Sequence, residues 1–141
     1  MRSAELTMSF LLEERELPAD RLALGIPLYG RVFAVSRPYG STRNAPQPSR
    51  ESATYSQIHQ LQNEQHWTRY WDDQTKSPWL HAPDDSEIIC YDDRQSIAIK
   101  TDWAMQKGLR GVFFWQIVGD RLSDGSNPLQ QAAFEKWSRA R

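Results

Sequence analysis

The longest apolar run in the chain lies at residues 109–120, where Val112, Phe113, Phe114, Ile117 and Val118 recur with little polar interruption. β-Branched and aromatic residues dominate it, and it is too short for a helix of about ten residues, so it predicts a strand. A strand without polar alternation is buried on both faces, which points to a parallel sheet or a barrel. A second run, residues 22–33, carries Gly25, Pro27 and Gly30 inside it. That interruption suits a strand that ends where its backbone turns outward.

Helical periodicity brackets both runs. Over residues 3–16, Leu6, Phe10 and the Leu11/Leu12 pair share a face opposite Glu13, Glu14 and Arg15, until Pro18 stops the helix. Thr54 to Gln57 has capping-box spacing, and Tyr55, Ile58 and Leu61 fall on one face of the helix after it. Ser96 reads as the N-cap of a further helix in which Ile99 and Trp103 align and which Gly108 ends. Asn127 caps a last helix, with Pro128 at its first position and Leu129, Ala133 and Trp137 on one face. Residues 67–91 read as a meander of three short strands. Pro78 in the middle strand predicts an edge, and Trp67, Trp71 and Trp79 are placed to stack across the pair. Residues 36–51, with three prolines and little to bury, predict an exposed loop. The order is helix, strand, an α+β insertion of about sixty residues, helix, strand, helix. This is a βαβ unit with a small mixed domain inside it.

Composition changes that picture mainly through its aromatic residues. At 141 residues the chain is one ordinary domain or slightly less. Charged residues make up 25% with a net charge of −1, which argues against nucleic acid or an anionic membrane as the main partner. One cysteine, Cys90, rules out an internal disulfide, and its apolar neighbours read it as a small buried hydrophobe. His59 and His66 have no third ligand nearby and do not suggest a metal site. No run approaches the roughly 18 apolar residues of a membrane span, and no signal peptide is visible at the N-terminus. Six tryptophans, five tyrosines and five phenylalanines suit either a thick core or a carbohydrate-stacking surface. Trp115 belongs to one or the other. It is a core ring, or a ring at the C-terminal end of a barrel strand, where such folds keep their ligands.

Three ordered motifs then carry a resemblance. Leu24-Gly25-Ile26-Pro27-Leu28-Tyr29-Gly30-Arg31 resembles the seventh barrel strand of glycoside hydrolase family 18 chitinases. Tyr91-Asp92-Asp93 with Ser96 and Lys100, then Gly108 to Trp115 and Asp120, resembles the segment entering and forming their eighth strand. The stretch between is similar to the chitinase insertion domain, a small α+β module that builds one wall of the substrate cleft. The resemblance runs from about residue 5 to the C-terminus. It implies an α+β fold: a small mixed insertion domain, an antiparallel sheet with a helix, flanked by the last two β/α units of an incomplete TIM barrel. Residues 1–35 would hold a barrel helix and the seventh strand, 36–93 the insertion domain, and 94–141 a helix, the eighth strand and the C-terminal helix.

The same resemblance implies a function. The family hydrolyses β-1,4-linked N-acetylglucosamine polymers, so chitin or chito-oligosaccharides are the implied partner, with no cofactor and no metal. Trp115 matches the tryptophan that floors the subsite where the sugar ring is distorted. Tyr29 and Arg31 match a tyrosine and an arginine at the cleft, and Arg31 suits a structural ion pair equally well. The resemblance also implies that insertion-domain aromatics and Glu51 could touch sugars further along, without singling out any one of them. Hydrolysis in the family is substrate-assisted and takes its general acid from an Asp-x-x-Asp-x-Asp-x-Glu motif on the fourth strand. That spacing is absent from the chain, which leaves no catalytic residue to name. Asp84, Asp85 and Glu87, and the pair Asp92-Asp93, read as solvated turn residues. The expectation is a C-terminal part that carries the cleft without the acid; the alternative is a non-catalytic chitin-binding module. An incomplete barrel would expose apolar edges and associate with an N-terminal half or with itself. Family members are often secreted, while this chain shows no export signal.

Overall fold

The computed structural model describes residues 2–34 and 52–139. The loop expected at residues 36–51, Glu51 included, lies outside the described residues. The rest is a mixed α+β architecture. Strands β1 (Ala23–Pro27) and β7 (Gly111–Trp115) pair in parallel, with Leu24 opposite Val112 and Pro27 opposite Trp115. Strands β2 (Tyr29–Ala34), β3 (Ala53–Thr54), β4 (Thr68–Asp72), β5 (Ser77–His81) and β6 (Glu87–Cys90) form a second, antiparallel sheet. Its strand order is β3-β2-β6-β5-β4. Helices α1 (Arg2–Ser9), α2 (Tyr55–Glu64), α3 (Arg94–Gln106) and α4 (Pro128–Arg139) complete the fold. Ile26, Leu28, Val32, Ile58, Leu80, Ile89, Ile97 and Leu129 are fully buried in one shared core.

Both apolar runs behave differently from the expectation. The stretch 22–33 is two strands in two sheets, and the break is at Leu28. Its N–H donates to the Trp115 carbonyl at 2.7 Å, and its own carbonyl accepts from the Tyr55 N–H at 3.0 Å. These bonds run to distant segments, so nothing local announces the break. The run at 109–120 is a strand only as far as Trp115, and it is not buried on both faces. Val112 and Phe114 pack on the core, whereas Phe113 is 53% exposed and Trp115 41%. Ile117 and Val118 lie in the turn after the strand, each 69% exposed. The pleat turns alternate side chains outward, and β7 has β1 as its one strand neighbour among the described residues.

The first helix also shifts its face. Helix α1 continues as a π-helical turn at Phe10–Glu14, closed by Arg15 N–H donating to the Phe10 carbonyl at 3.0 Å. The wider turn rotates the side chains around the helix axis. Met8, Leu11 and Leu12 pack inward, and Leu6 and Phe10 face out at 64% and 45% exposure.

The expected meander is present, with its details changed. Strand β5 is interior, so Pro78 does not mark an edge. Its pairing with β6 covers only Trp79 to His81, and the Pro78 carbonyl accepts from Tyr91 beyond the end of β6. The missing N–H therefore falls where the ladder has not begun. The three tryptophans do not stack together. Direct register sets Tyr70 on Trp79, while Trp71 points to the opposite face, where the Arg69 guanidinium lies 5.3 Å from its ring. Cys90 is exposed, because alternation gives the core to Ile89 and the outer face to Cys90.

Helix caps were the most local signals. Thr54 and Gln57 form the predicted capping box, with Gln57 N–H donating to Thr54 Oγ1 at 3.3 Å and Thr54 N–H to Gln57 Oε1 at 2.9 Å. In α3 the N-cap is Asp93, not Ser96. Ser96 sits at the third helical position and exchanges two 2.9 Å bonds with Asp93. Its buried face is Ser96, Ile97, Thr101 and Ala104, with Ile99 and Trp103 only partly covered. Gly108, at φ 69°, comes just after the last turn. No helix of the described residues is long and apolar enough to cross a membrane, and no three of their His, Cys, Asp or Glu side chains are grouped to hold a metal ion.

Candidate active site

Two residues from opposite ends of the sequence meet at the end of the parallel strand pair. Trp115 closes β7, its carbonyl held by Leu28 N–H. Its indole N–H donates to the Tyr29 hydroxyl at 3.3 Å, and the rings meet edge to face with centroids 6.5 Å apart. Phe113 flanks the indole at 5.9 Å. Beneath both rings lies Gly25 on β1. A Cβ there would fall 2.8 Å from Phe113 Cζ and 2.8 Å from Trp115 Cζ3, so any larger residue would push the aromatic pair off the strand. The peptide bond from Trp115 to Gln116 is cis.

Arg31 stands one pleat beyond Tyr29 on the same face of β2, about 7 Å along the strand, and is exposed. Of the three residues singled out, the structure thus joins Trp115 and Tyr29 directly and sets Arg31 beside them. The Tyr29 hydroxyl accepts from the indole, which leaves its own proton free to donate.

The acidic residues of the motif do structural work. Asp92 is buried at 7% exposure and is no solvated turn residue. Lys100 Nζ donates to both its oxygens at 2.6 Å, and Ser96 Oγ donates to Oδ1 at 2.8 Å. Ser96 and Lys100 are one helical turn apart on α3, so both reach back to the carboxylate before the helix. Removing one member of such a buried pair costs about 3–5 kcal/mol, because the other is left as an uncompensated charge. Asp93 is a cap, and its carboxylate also takes an Arg69 guanidinium N–H at 2.6 Å. Asp84 stays in an exposed turn, where bonds from the Ser86 hydroxyl and N–H hold its carboxyl below the usual range.

Asp120 is fully buried and caps α4 from outside the helix. Its Oδ2 accepts from Leu129 N–H at 2.9 Å and Gln130 N–H at 3.1 Å, and its Oδ1 from the Gln130 amide at 2.7 Å. Spacing gave no sign of this role, since the acceptor lies seven or more residues before the helix begins.

The family signature Glycosyl hydrolases family 18 matches residues 2–120. The chain belongs to glycosyl hydrolases family 18. Within family 18 it is similar to Chitinase A1 of Niallia circulans, at 32% identity over 123 residues, which is 81% of this chain and 18% of that protein. Endochitinase of Manduca sexta is 30% identical over 138 residues, covering 84% of this chain and 24% of the relative. A family 18 chitinase from Cycas revoluta, solved in complex with (GlcNAc)3, matches with a TM-score of 0.76 and 28% identity, over 92% of this chain and 36% of that one. The chain therefore spans about a quarter or less of these two curated relatives, and little more than a third of the solved chitinase.

Proposed function

We propose that this chain is the substrate-cleft portion of a chitinase-like hydrolase: barrel strands seven and eight, with an insertion domain at residues 36–93 between segments 1–35 and 94–141. What carries the reading is the exposed indole of Trp115 at the end of a parallel strand, tied to Tyr29 by a hydrogen bond. A flat apolar ring takes the C–H face of an N-acetylglucosamine residue by stacking. The Tyr29 proton and the Arg31 guanidinium then fix the sugar's polar groups, one as a single donor and one as a fork. Rigid support from Gly25 beneath the indole and Phe113 beside it holds the sugar in one orientation.

The chemistry of bond cleavage needs more than this. The acetamido oxygen of the substrate attacks the anomeric carbon while a glutamic acid protonates the leaving oxygen. The 141 residues contain no Asp-x-x-Asp-x-Asp-x-Glu sequence to supply that acid. The chain alone thus binds chito-oligosaccharides without cutting them. That absence is also what favours the second reading, a non-catalytic chitin-binding module.

Chitin pull-down of the purified chain tests the reading, with Trp115→Ala as the control. Retention of the wild type is expected, with affinity lowered about tenfold or more by the substitution. A chain that ignores chitin would refute the cleft assignment. Turnover of a chito-oligosaccharide by the pure chain would refute the claim that it lacks an acid.

A further inference from the structure

A cavity of about 250 Å³ lies between α2 and the start of α3. Gly30 fixes which side of the antiparallel sheet it belongs to. A Cβ there would fall 2.8 Å from Ile58 Cδ1 on α2 and 2.8 Å from Tyr91 Cβ, so Tyr91 lies under α2. Arg31, the next residue on β2, points to the other face, and the cavity opens on the side away from it. The lining is aromatic at its base. Tyr55 and Tyr91 are both buried, with rings tilted and centroids 6.5 Å apart, and the His59 ring lies 6.2 Å from Tyr55.

Donors outnumber acceptors on its walls. Tyr91 is 7% exposed, and its hydroxyl has no hydrogen-bond partner among the described residues. The Arg69 charge reaches that hydroxyl, and Arg69 lines the same cavity, so the hydroxyl stands at the cavity wall and not in the core behind it. Arg69 commits Nε and Nη2 to Asp93, and Nη2 to Gln95 as well, which leaves the two N–H groups of Nη1 uncommitted among the described residues. Exposed Arg94 makes only long bonds, to the Pro128 carbonyl at 3.3 Å and to Glu135 at 3.5 Å. Asp93 spends its oxygens on Arg69 and the Ser96 N–H. Two arginines against one aspartate leave the lining with a surplus positive charge.

We propose that this cavity binds a small carboxylate with a flat apolar body. The carboxylate accepts from the Tyr91 hydroxyl and from Arg69 Nη1, with Arg94 adding charge at the mouth. The body of the ligand lies against the Tyr55 ring. Size points the same way, since cavities for drug-sized ligands start at about 300 Å³. A neutral ligand leaves the surplus charge unmatched, and a cation is repelled by it. A tetrahedral anion has no body to cover the tyrosine rings. The proposal does not depend on the chitin-binding reading above.

Calorimetry of the purified chain with benzoate, its neutral counterpart benzamide, and inorganic phosphate tests the site. Benzoate is expected to bind, with benzamide and phosphate each about tenfold weaker or more. Tyr91→Phe removes a single oxygen and should lower benzoate affinity about tenfold; Arg94→Gln, on the surface, should lower it about threefold. Retention on chitin stays unchanged in both variants, and Trp115→Ala leaves benzoate binding as it was. The site is overturned if benzoate does not bind, if benzamide or phosphate binds as well as benzoate, or if Tyr91→Phe binds like the wild type. Loss of benzoate binding in Trp115→Ala would place the acid on the indole and overturn it too. A chain that binds benzoate in this pattern but ignores chitin upholds the cavity and refutes only the cleft assignment.

Discussion

Single side chains here act mainly through what burial does to polar groups. The Tyr91 hydroxyl is buried and makes no hydrogen bond among the described residues. Burial, with the nearby Asp93 charge, pushes its pKa well above the usual tyrosine value, and burial raises that of Tyr55 as well. The sign of the consequence is fixed. Above about pH 10 an unfolded tyrosine loses its proton while the folded one keeps it, so stability falls as pH rises. Urea denaturation should show that decline, and Tyr91→Phe should flatten it while leaving neutral-pH stability unchanged or slightly improved. An identical alkaline slope in the variant would show that Tyr91 does not carry the effect. By contrast, the Asp92 and Lys100 charges are satisfied by each other, which is why this pair can sit in the interior at all.

At the scale of elements, caps and registers decide the geometry. Helix α4 depends on Asp120, whose carboxylate satisfies two of the helix's first backbone N–H groups. Asp120→Ala should cost about 2–3 kcal/mol in chemical denaturation, since it strands buried donors as well as removing a cap. A loss under about half a kilocalorie per mole would mean the loop recloses without it. The sequence made some of this legible and hid the rest for a physical reason. Thr54 and Gln57 could be read as a cap because their interaction spans three residues. Asp93 and Ser96 were both capable of capping, and only the backbone angle at Asp93 chooses between them. Asp120 capping α4, Leu28 ending β1 and Pro78 sitting inside a sheet all depend on partners distant in sequence. The contact between Tyr29 and Trp115 spans 86 positions. No local pattern encodes such a pairing, so it was legible only through the resemblance of the motifs around it.

For the molecule as a whole, exposed apolar side chains are the outstanding liability. Phe113, Ile117 and Val118 around β7, Phe134 on α4, and Leu6 and Phe10 near the start are all at least 45% exposed. Surfaces of this kind are covered in a working protein or drive association. Sedimentation of the purified chain should therefore show a dimer or larger species, reduced towards monomer by the double change Ile117→Ser and Val118→Ser; a well-behaved wild-type monomer would refute self-association. Leu28 has a different consequence at this scale. Both of its backbone groups are engaged, one to the carbonyl of Trp115 and one to the start of α2. The parallel strand pair and the start of α2 are thus joined through peptide groups, which every residue type except proline can supply. Exposed side chains on either sheet are free to diverge without moving the frame that presents them. A lineage could vary the exposed row of the outer sheet face, from Arg31 across to Tyr70, by substitution while keeping the joint intact.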